Sequence, residues 1–409
     1  MSTPAHQFSV FVAACALLCA AVATTQGQTS LSELQKALHD KAAFDETDFA
    51  ALQRGETIVK LAPDQDKGEV AVSGMVSLRA TADQFLHSYR DSLTRKGGSA
   101  VLAAGGFSAQ PTLADLKDLT LEPEDIEDLK DCVAGDCEIK LSAAMMQRFA
   151  HDINWQAPDY AQQVTQLFKT MLLEYVRDYR TRGDAALIDY NDKQNEVSVA
   201  DEQQTLNNAS GYLNDLINAK AAPISSELRP LEDFIVWSKI KFGLKPVIAI
   251  NHVIIYKRDR DFGPQVLAVS KQLYANHYFN SSLALTGFVT VGGPESYLIY
   301  ENRSLADGLT GPLSRFKRSI VQNKALEGLK GILEQSKLTL DAPVLGRESA
   351  SSRSEDPAGV WSRRLFGGIR PLLWIVIISA LIALLALRTY EGKANRTAGM
   401  KQQLKPEQR

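Results

Sequence analysis

Two long apolar runs bracket the chain, and shorter hydrophobic periods organise everything between them. Residues 8–23 read FSVFVAACALLCAAVA and end in Ala21-Val22-Ala23, the small-x-small signature of an export-signal cleavage site. Residues 371–387 read PLLWIVIISALIALLAL, carry no charge and lie between Arg370 and Arg388, which suits a short membrane-spanning helix. The pattern predicts a signal peptide at 1–23, an extracytoplasmic body at 30–340, a juxtamembrane linker at 341–370 rich in Ser, Pro and Gly, a transmembrane helix at 371–388 and a cytoplasmic tail at 389–409. Lys393, Arg396, Lys401, Lys405 and Arg409 make that tail basic, as the cytoplasmic side requires.

Within the body the period changes twice. A helical stretch from Ser30 to about Arg54 precedes a short strand, Thr57 to Leu61, and a longer one, Glu69 to Leu78, with strict alternation of apolar positions. Thr81 and Gln84 have the spacing of a capping box, and Phe85, Leu86 and Tyr89 continue an amphipathic helix toward Leu93. Residues from about 110 to 229 then read mostly as helix. Their acidic run, Leu113 to Asp131, is expected to be a solvated face, because the D-x-D-x-D-G pattern of a calcium loop is absent. Val164, Phe168, Met171, Leu172, Tyr175 and Tyr179 make the stripe of a core-facing helix.

From Phe234 onward the texture is β. The runs FIVWSKIKF, PVIAINHVIIY, QVLAVSKQLYANHYFNSSLALTGFVTV and SYLIYENR are separated by turn-forming pieces and predict an antiparallel meander. Val247, Ala249, Val253 and Ile255 alternate with Ile248, Ile250, Ile254 and Tyr256, so both faces of the meander are apolar and both need cover. A final amphipathic helix, Leu313 to about Lys337, can cover one, with Phe316, Ile320, Leu329, Ile332 and Leu333 as its buried stripe; the helical block can cover the other. Gly328 and Gly331 within that helix each cost about 1 kcal/mol relative to alanine, which predicts close approach or empty space opposite them.

This order of elements resembles the START-like helix-grip superfamily, which includes polyketide cyclase-like proteins. The resemblance rests on the strand pair, the helix led by TADQF, the antiparallel run and the long last helix, over Glu56 to Leu93 and Phe234 to Lys337. It implies an α+β fold in which a curved antiparallel meander wraps a C-terminal helix and encloses an apolar cavity for lipids or other hydrophobic small molecules. The chain departs from that pattern in its helical insertion, about 110–229.

Charge and cysteine usage narrow the functions. With 45 Lys+Arg against 48 Asp+Glu and no basic stretch interleaved with aromatics, nothing favours nucleic acid. Cys15 and Cys19 fall in the signal, leaving Cys132 and Cys137 in CVAGDC, where a disulfide is expected; two cysteines are too few for structural zinc, and no metal site is expected. His252, His277, Tyr278, Gly328 and Gly331 are the candidate ligand-binding residues, with the histidines and Tyr278 orienting a polar head group and the glycines leaving room. Glu301 and Arg303 share a strand face and are expected to pair. No nucleophile motif, phosphate loop, dinucleotide loop or metal triad is present, so neither catalytic residues nor cofactors are expected. Three functions follow, in this order: a membrane-anchored protein that binds or transfers a lipid or other hydrophobic small molecule; an ectodomain that docks a protein partner through the insertion; and a cofactor-independent hydrolase or cyclase, which would need His252 or His277 as its general base.

Overall fold

The computed structural model describes residues 44–342 apart from 65, 95–100, 211–228, 242–244, 258–263, 291–294 and 310–313. The expected signal peptide at 1–23, the transmembrane helix at 371–388 and the tail lie outside the described residues. No helix among the described residues is long and apolar enough to cross a membrane.

The chain runs α1 (Glu46–Gln53), β1 (Ile58–Leu61), β2 (Glu69–Leu78), α2 (Ala82–Thr94) and β3 (Val101–Gly106) before the insertion. The insertion contributes α3 (Pro123–Lys130), α4 (Ala143–Asp152), α5 (Tyr160–Arg182), the short strands β4 (Asp189–Tyr190) and β5 (Val197–Ser198), and α6 (Val199–Ala209). The meander follows as β6 (Arg229–Ile240), β7 (Val247–Lys257), β8 (Pro264–Ala275), β9 (Phe279–Thr290) and β10 (Ser296–Ala306), and α7 (Ser314–Leu340) closes it. Eight of these strands form one antiparallel sheet in the order β1-β2-β10-β9-β8-β7-β6-β3. The last strand therefore lies beside β2, which brings the two ends of the domain together and gives α7 a strand to pack on.

Both sheet faces are buried, as their apolar alternation requires. On one face Val72, Val253, Ile255, Ala284 and Phe288 pack with Phe85 and Tyr89 of α2 and with Val321, Leu329 and Leu333 of α7. On the other, Ile235, Trp237, Ile248, Ile250 and Tyr274 pack with Phe149, Phe168 and Val176 of the insertion, while α1 and Leu206 of α6 cover the β2–β10–β9 side. We call these the helix face and the insertion face. The expected capping box forms: the Gln84 side chain accepts from the Thr81 amide at 2.8 Å, and the Thr81 hydroxyl accepts from the Gln84 amide at 3.2 Å.

Several expectations are corrected. The apolar run from Gln265 to Thr290 is two strands, broken at Asn276–Tyr278, where Tyr278 takes a left-handed φ of 68°. Strand β3 was not legible, because VLAAGG has no alternation of branched residues and its Gly105-Gly106 reads as a turn; its pairing with β6 makes it a strand. The acidic run is not one solvated face: it breaks into a turn at Leu113–Leu116 and α3, and Asp125 is buried. Phe316 is 66% exposed, because the part of α7 that packs begins a turn later, at Val321.

Of the two expectations for the helix glycines, close approach or empty space, Gly331 meets open space, and the close approach that seats α7 is made by a strand glycine. A Cβ at Gly74 of β2 would stand 2.6 Å from Cδ1 of Leu333 and 3.0 Å from Cδ2 of Leu329, so the absence of a side chain there seats α7. Gly328 is half-buried, and Gly331 is exposed with open space around its would-be Cβ. Gly331→Ala should therefore raise stability by up to about 1 kcal/mol through helix propensity. Gly74→Val should lower it by about 1 to 3 kcal/mol through overpacking. Chemical denaturation of the pair checks the opposite signs.

Cys132 and Cys137 are disulfide-bonded, with Cα atoms 4.6 Å apart. Gly135, at a φ of +88°, makes the turn between them, and the loop is tied to the hairpin by the amides of Gly135 and Cys137, which donate to the carbonyls of Asn191 and Asp192. Closing so short a loop contributes roughly 2 kcal/mol on chain-entropy grounds. Both thiols should resist alkylation in the unreduced protein and label at once after reduction; labelling without reductant would contradict the bond.

Candidate functional site

The polar side chains of the meander sort by alternation onto the two faces, and the sorting separates charged from neutral groups. In β6 Lys239 turns to the insertion face, where its Nζ donates to the Thr120 carbonyl at 2.8 Å and pairs with Glu122 at 2.6 Å, while Ser238 turns to the other. In β7 His252 takes the insertion face and Asn251 the helix face. In β8 Lys271 pairs with Asp184 of the insertion, while Ser270 and Gln272 on either side of it face the helices. In β10 Glu301 and Arg303 take the insertion face, while Asn302 and Ser304 take the other.

On the insertion face the charges are paired. Arg303 Nε donates to Glu301 at 2.6 Å and its Nη1 to Glu69 at 2.7 Å and to the Pro63 carbonyl at 3.0 Å, so the expected pair exists within a buried trio. Burial pushes the Glu301 carboxyl above the ordinary carboxylate range, against the opposing pull of Arg303.

At the β8–β9 turn His277 is buried, with Nε2 3.1 Å from Asp125 Oδ1 and Nδ1 3.2 Å from the Glu138 carbonyl. The ring is thus held between a carboxylate oxygen of α3 and a main-chain carbonyl oxygen of the insertion. Asp125 also meets Lys245 at 3.4 Å. Burial works against the charge of Lys245, but its hydrogen bonds to Asp128 and Asp125 prevail and raise its pKa. Beside this cluster Lys140 pairs with Asp307 at 2.6 Å and donates to the Asn280 side chain at 2.9 Å. The Tyr278 hydroxyl accepts from the Lys245 amide at 3.1 Å. His277 and Tyr278 are adjacent but do different things: His277 clamps the insertion to the sheet, and Tyr278 joins the β8–β9 turn to the β6–β7 turn.

His252 lies in a different set of contacts. Its Nδ1 is 2.9 Å from the Tyr179 hydroxyl and its Nε2 2.8 Å from Asp233, and a ring protonated at Nε2 satisfies both. Burial pushes the Tyr179 hydroxyl up, which keeps it a donor. Neither histidine shares a site with Gly328 or Gly331. No group of three or more metal-ligating side chains occurs among the described residues.

The helix face holds what the sequence reading missed. Ser282, Ser304 and Asn302 bond one another: the two hydroxyls are 2.9 Å apart, and Asn302 Nδ2 donates to Ser282 at 3.2 Å while its Oδ1 accepts from Ser304 at 3.0 Å. Across the next strand pair Gln272 of β8 stands opposite Asn251 of β7, and Ser270 stands opposite Val253 and Ala284. Gln272 Nε2 and Ser270 Oγ are buried and have no hydrogen-bond partner. Their neighbours Val253, Ile255, Ala268 and Ala284 are apolar. Alternation could have found this band, since the neutral residues in SK, NH, SKQ and ENRS share one face by the period of two.

Comparison with protein-family models, curated proteins and solved structures found no match. The assignment therefore rests on this geometry. A buried amide donor and a buried hydroxyl without partners carry a desolvation penalty of about 1–3 kcal/mol each, which a ligand oxygen in hydrogen-bond reach would remove.

Proposed function

We propose that the body binds a lipid or other hydrophobic small molecule between the helix face of its sheet and the layer of α2 and α7, in a helix-grip arrangement like that of START-like and polyketide cyclase-like proteins, and that it does so beside a membrane. One observation carries this reading: Ser270 Oγ and Gln272 Nε2 are buried and unpartnered on the helix face, beside the apolar Val253, Ala268 and Ala284. Ligand sites of this kind are mainly apolar with a few polar groups that orient the ligand. The strand order supports the arrangement, because placing β10 beside β2 lays the final helix along the face that carries these groups. The apolar segments at 8–23 and 371–387 support the location.

The test is native mass spectrometry of the full chain in a non-ionic detergent, alongside Ser270→Phe, which would put a large ring where the ligand's polar group is proposed to lie. A stoichiometric small molecule on the wild type and its loss from a folded Ser270→Phe variant are expected. Equal occupancy in both would overturn the reading. A second reading rests on an open groove of about 570 Å³ along α4 and α5, lined in part by Met145, Arg148, Met171 and Glu174, where a protein partner would dock. Absence of any ligand, together with capture of a partner that Met171→Glu abolishes, would favour it.

A further inference from the structure

We infer that the ligand is a neutral amphiphile whose head presents an uncharged oxygen acceptor, a hydroxyl or carbonyl, to Gln272 Nε2, with Ser270 and Asn251 beside it. This deepens the reading above and rests on it. The inference comes from the separation of charge between the two faces. Along β8 and β10 the charged side chains, Lys271, Glu301 and Arg303, all take the insertion face, and each is paired there. The polar groups that β8, β9 and β10 turn to the helix face are amides and hydroxyls, among them Ser270, Gln272, Ser282, Thr286, Asn302 and Ser304.

The charges that do turn toward the helices stand near strand ends and are already neutralised. Lys257 meets Asp83 of α2 at 3.0 Å, and Glu232 pairs with Arg90. An anionic head drawn in beside Gln272 would exchange water for neutral dipoles with no counter-charge, which is far costlier than burying a hydroxyl. The unpartnered atom of Gln272 is a donor, so the complementary ligand group is an acceptor. The Ser270 hydroxyl can give or take, which suits an alcohol or an ester carbonyl equally.

A matched pair of probes separates head from tail: parinaryl alcohol and cis-parinaric acid, which share one fluorescent chain. Binding to the full chain in non-ionic detergent would be read as fluorescence in excess of that from Ser270→Phe, at a pH where the acid is ionised. The alcohol is expected to bind at least tenfold more tightly than the ionised acid, and acid affinity should rise as the pH falls through its pKa. Gln272→Leu should weaken the alcohol about tenfold, the loss of one buried hydrogen bond, and leave the acid little changed. Ionised acid binding as tightly as the alcohol would overturn this inference and leave the ligand-binding reading standing. No specific binding of either probe would remove both. The comparison on wild-type protein decides the matter even if Gln272→Leu does not fold.

Discussion

Replacing Arg303 with methionine is expected to destabilise the body by about 3 to 5 kcal/mol, because it leaves Glu69 and Glu301 buried without the cation that faces them both. Glu301→Gln should behave in the opposite manner. The amide can still accept from Arg303 Nε, one of two carboxylates around a single guanidinium is removed, and stability should change by less than about 1 kcal/mol or rise. The pH dependence has a definite sign. The folded protein holds the Glu301 proton where the unfolded chain has released it, so the folded state binds more protons in that window. Stability should therefore fall as pH rises from the ordinary carboxylate value to the raised folded one, and Glu301→Gln should flatten that slope. Urea unfolding of the wild type and both variants across mildly acidic to neutral pH would measure it. A wild-type slope of the reverse sign, or an Arg303→Met variant as stable as the parent, would contradict the account of the trio.

Asp125→Ala is expected to cost about 3 kcal/mol and to act on the insertion before the sheet. Asp125 is 1% exposed and holds His277 at 3.1 Å, Lys245 at 3.4 Å and the Asn276 amide at 3.5 Å. Its loss strands a buried imidazole beside a carbonyl and leaves Lys245 with Asp128. The residues it joins lie far apart in sequence, so the clamp fixes α3 to the β8–β9 turn. Hydrogen exchange should show protection falling in α3 and in the turn at 276–278, with the centres of β8 and β9 less affected. Uniform loss across the whole sheet would mean that the insertion and sheet unfold as one unit and that the clamp has no local role.

The amino-acid sequence by itself determined the elements whose signal is local or periodic. The meander was legible because Val, Ile, Tyr and Phe alternate through it, and the apolar character of both faces of β7 already required cover on two sides. The capping box at Thr81–Gln84, the pairing of Glu301 with Arg303 and the Cys132–Cys137 bridge were legible because their partners are within a few residues of each other. What only the tertiary structure decided depends on contacts between distant segments. Strand β3 exists because β6 pairs with it, Gly74 is required because Leu329 and Leu333 of α7 descend on it, and Asp125 is buried because His277 and Lys245 reach it from across the fold. For the candidate site the division is the same. Period two assigns Ser270, Gln272 and Asn251 to one face and Lys271 and His252 to the other, but alternation carries no information about which face meets water, helix or insertion. The packing of α7 on β2 and of α2 on β8 and β9 settled that, and it left the Ser270 hydroxyl and the Gln272 side-chain nitrogen buried without a hydrogen-bond partner.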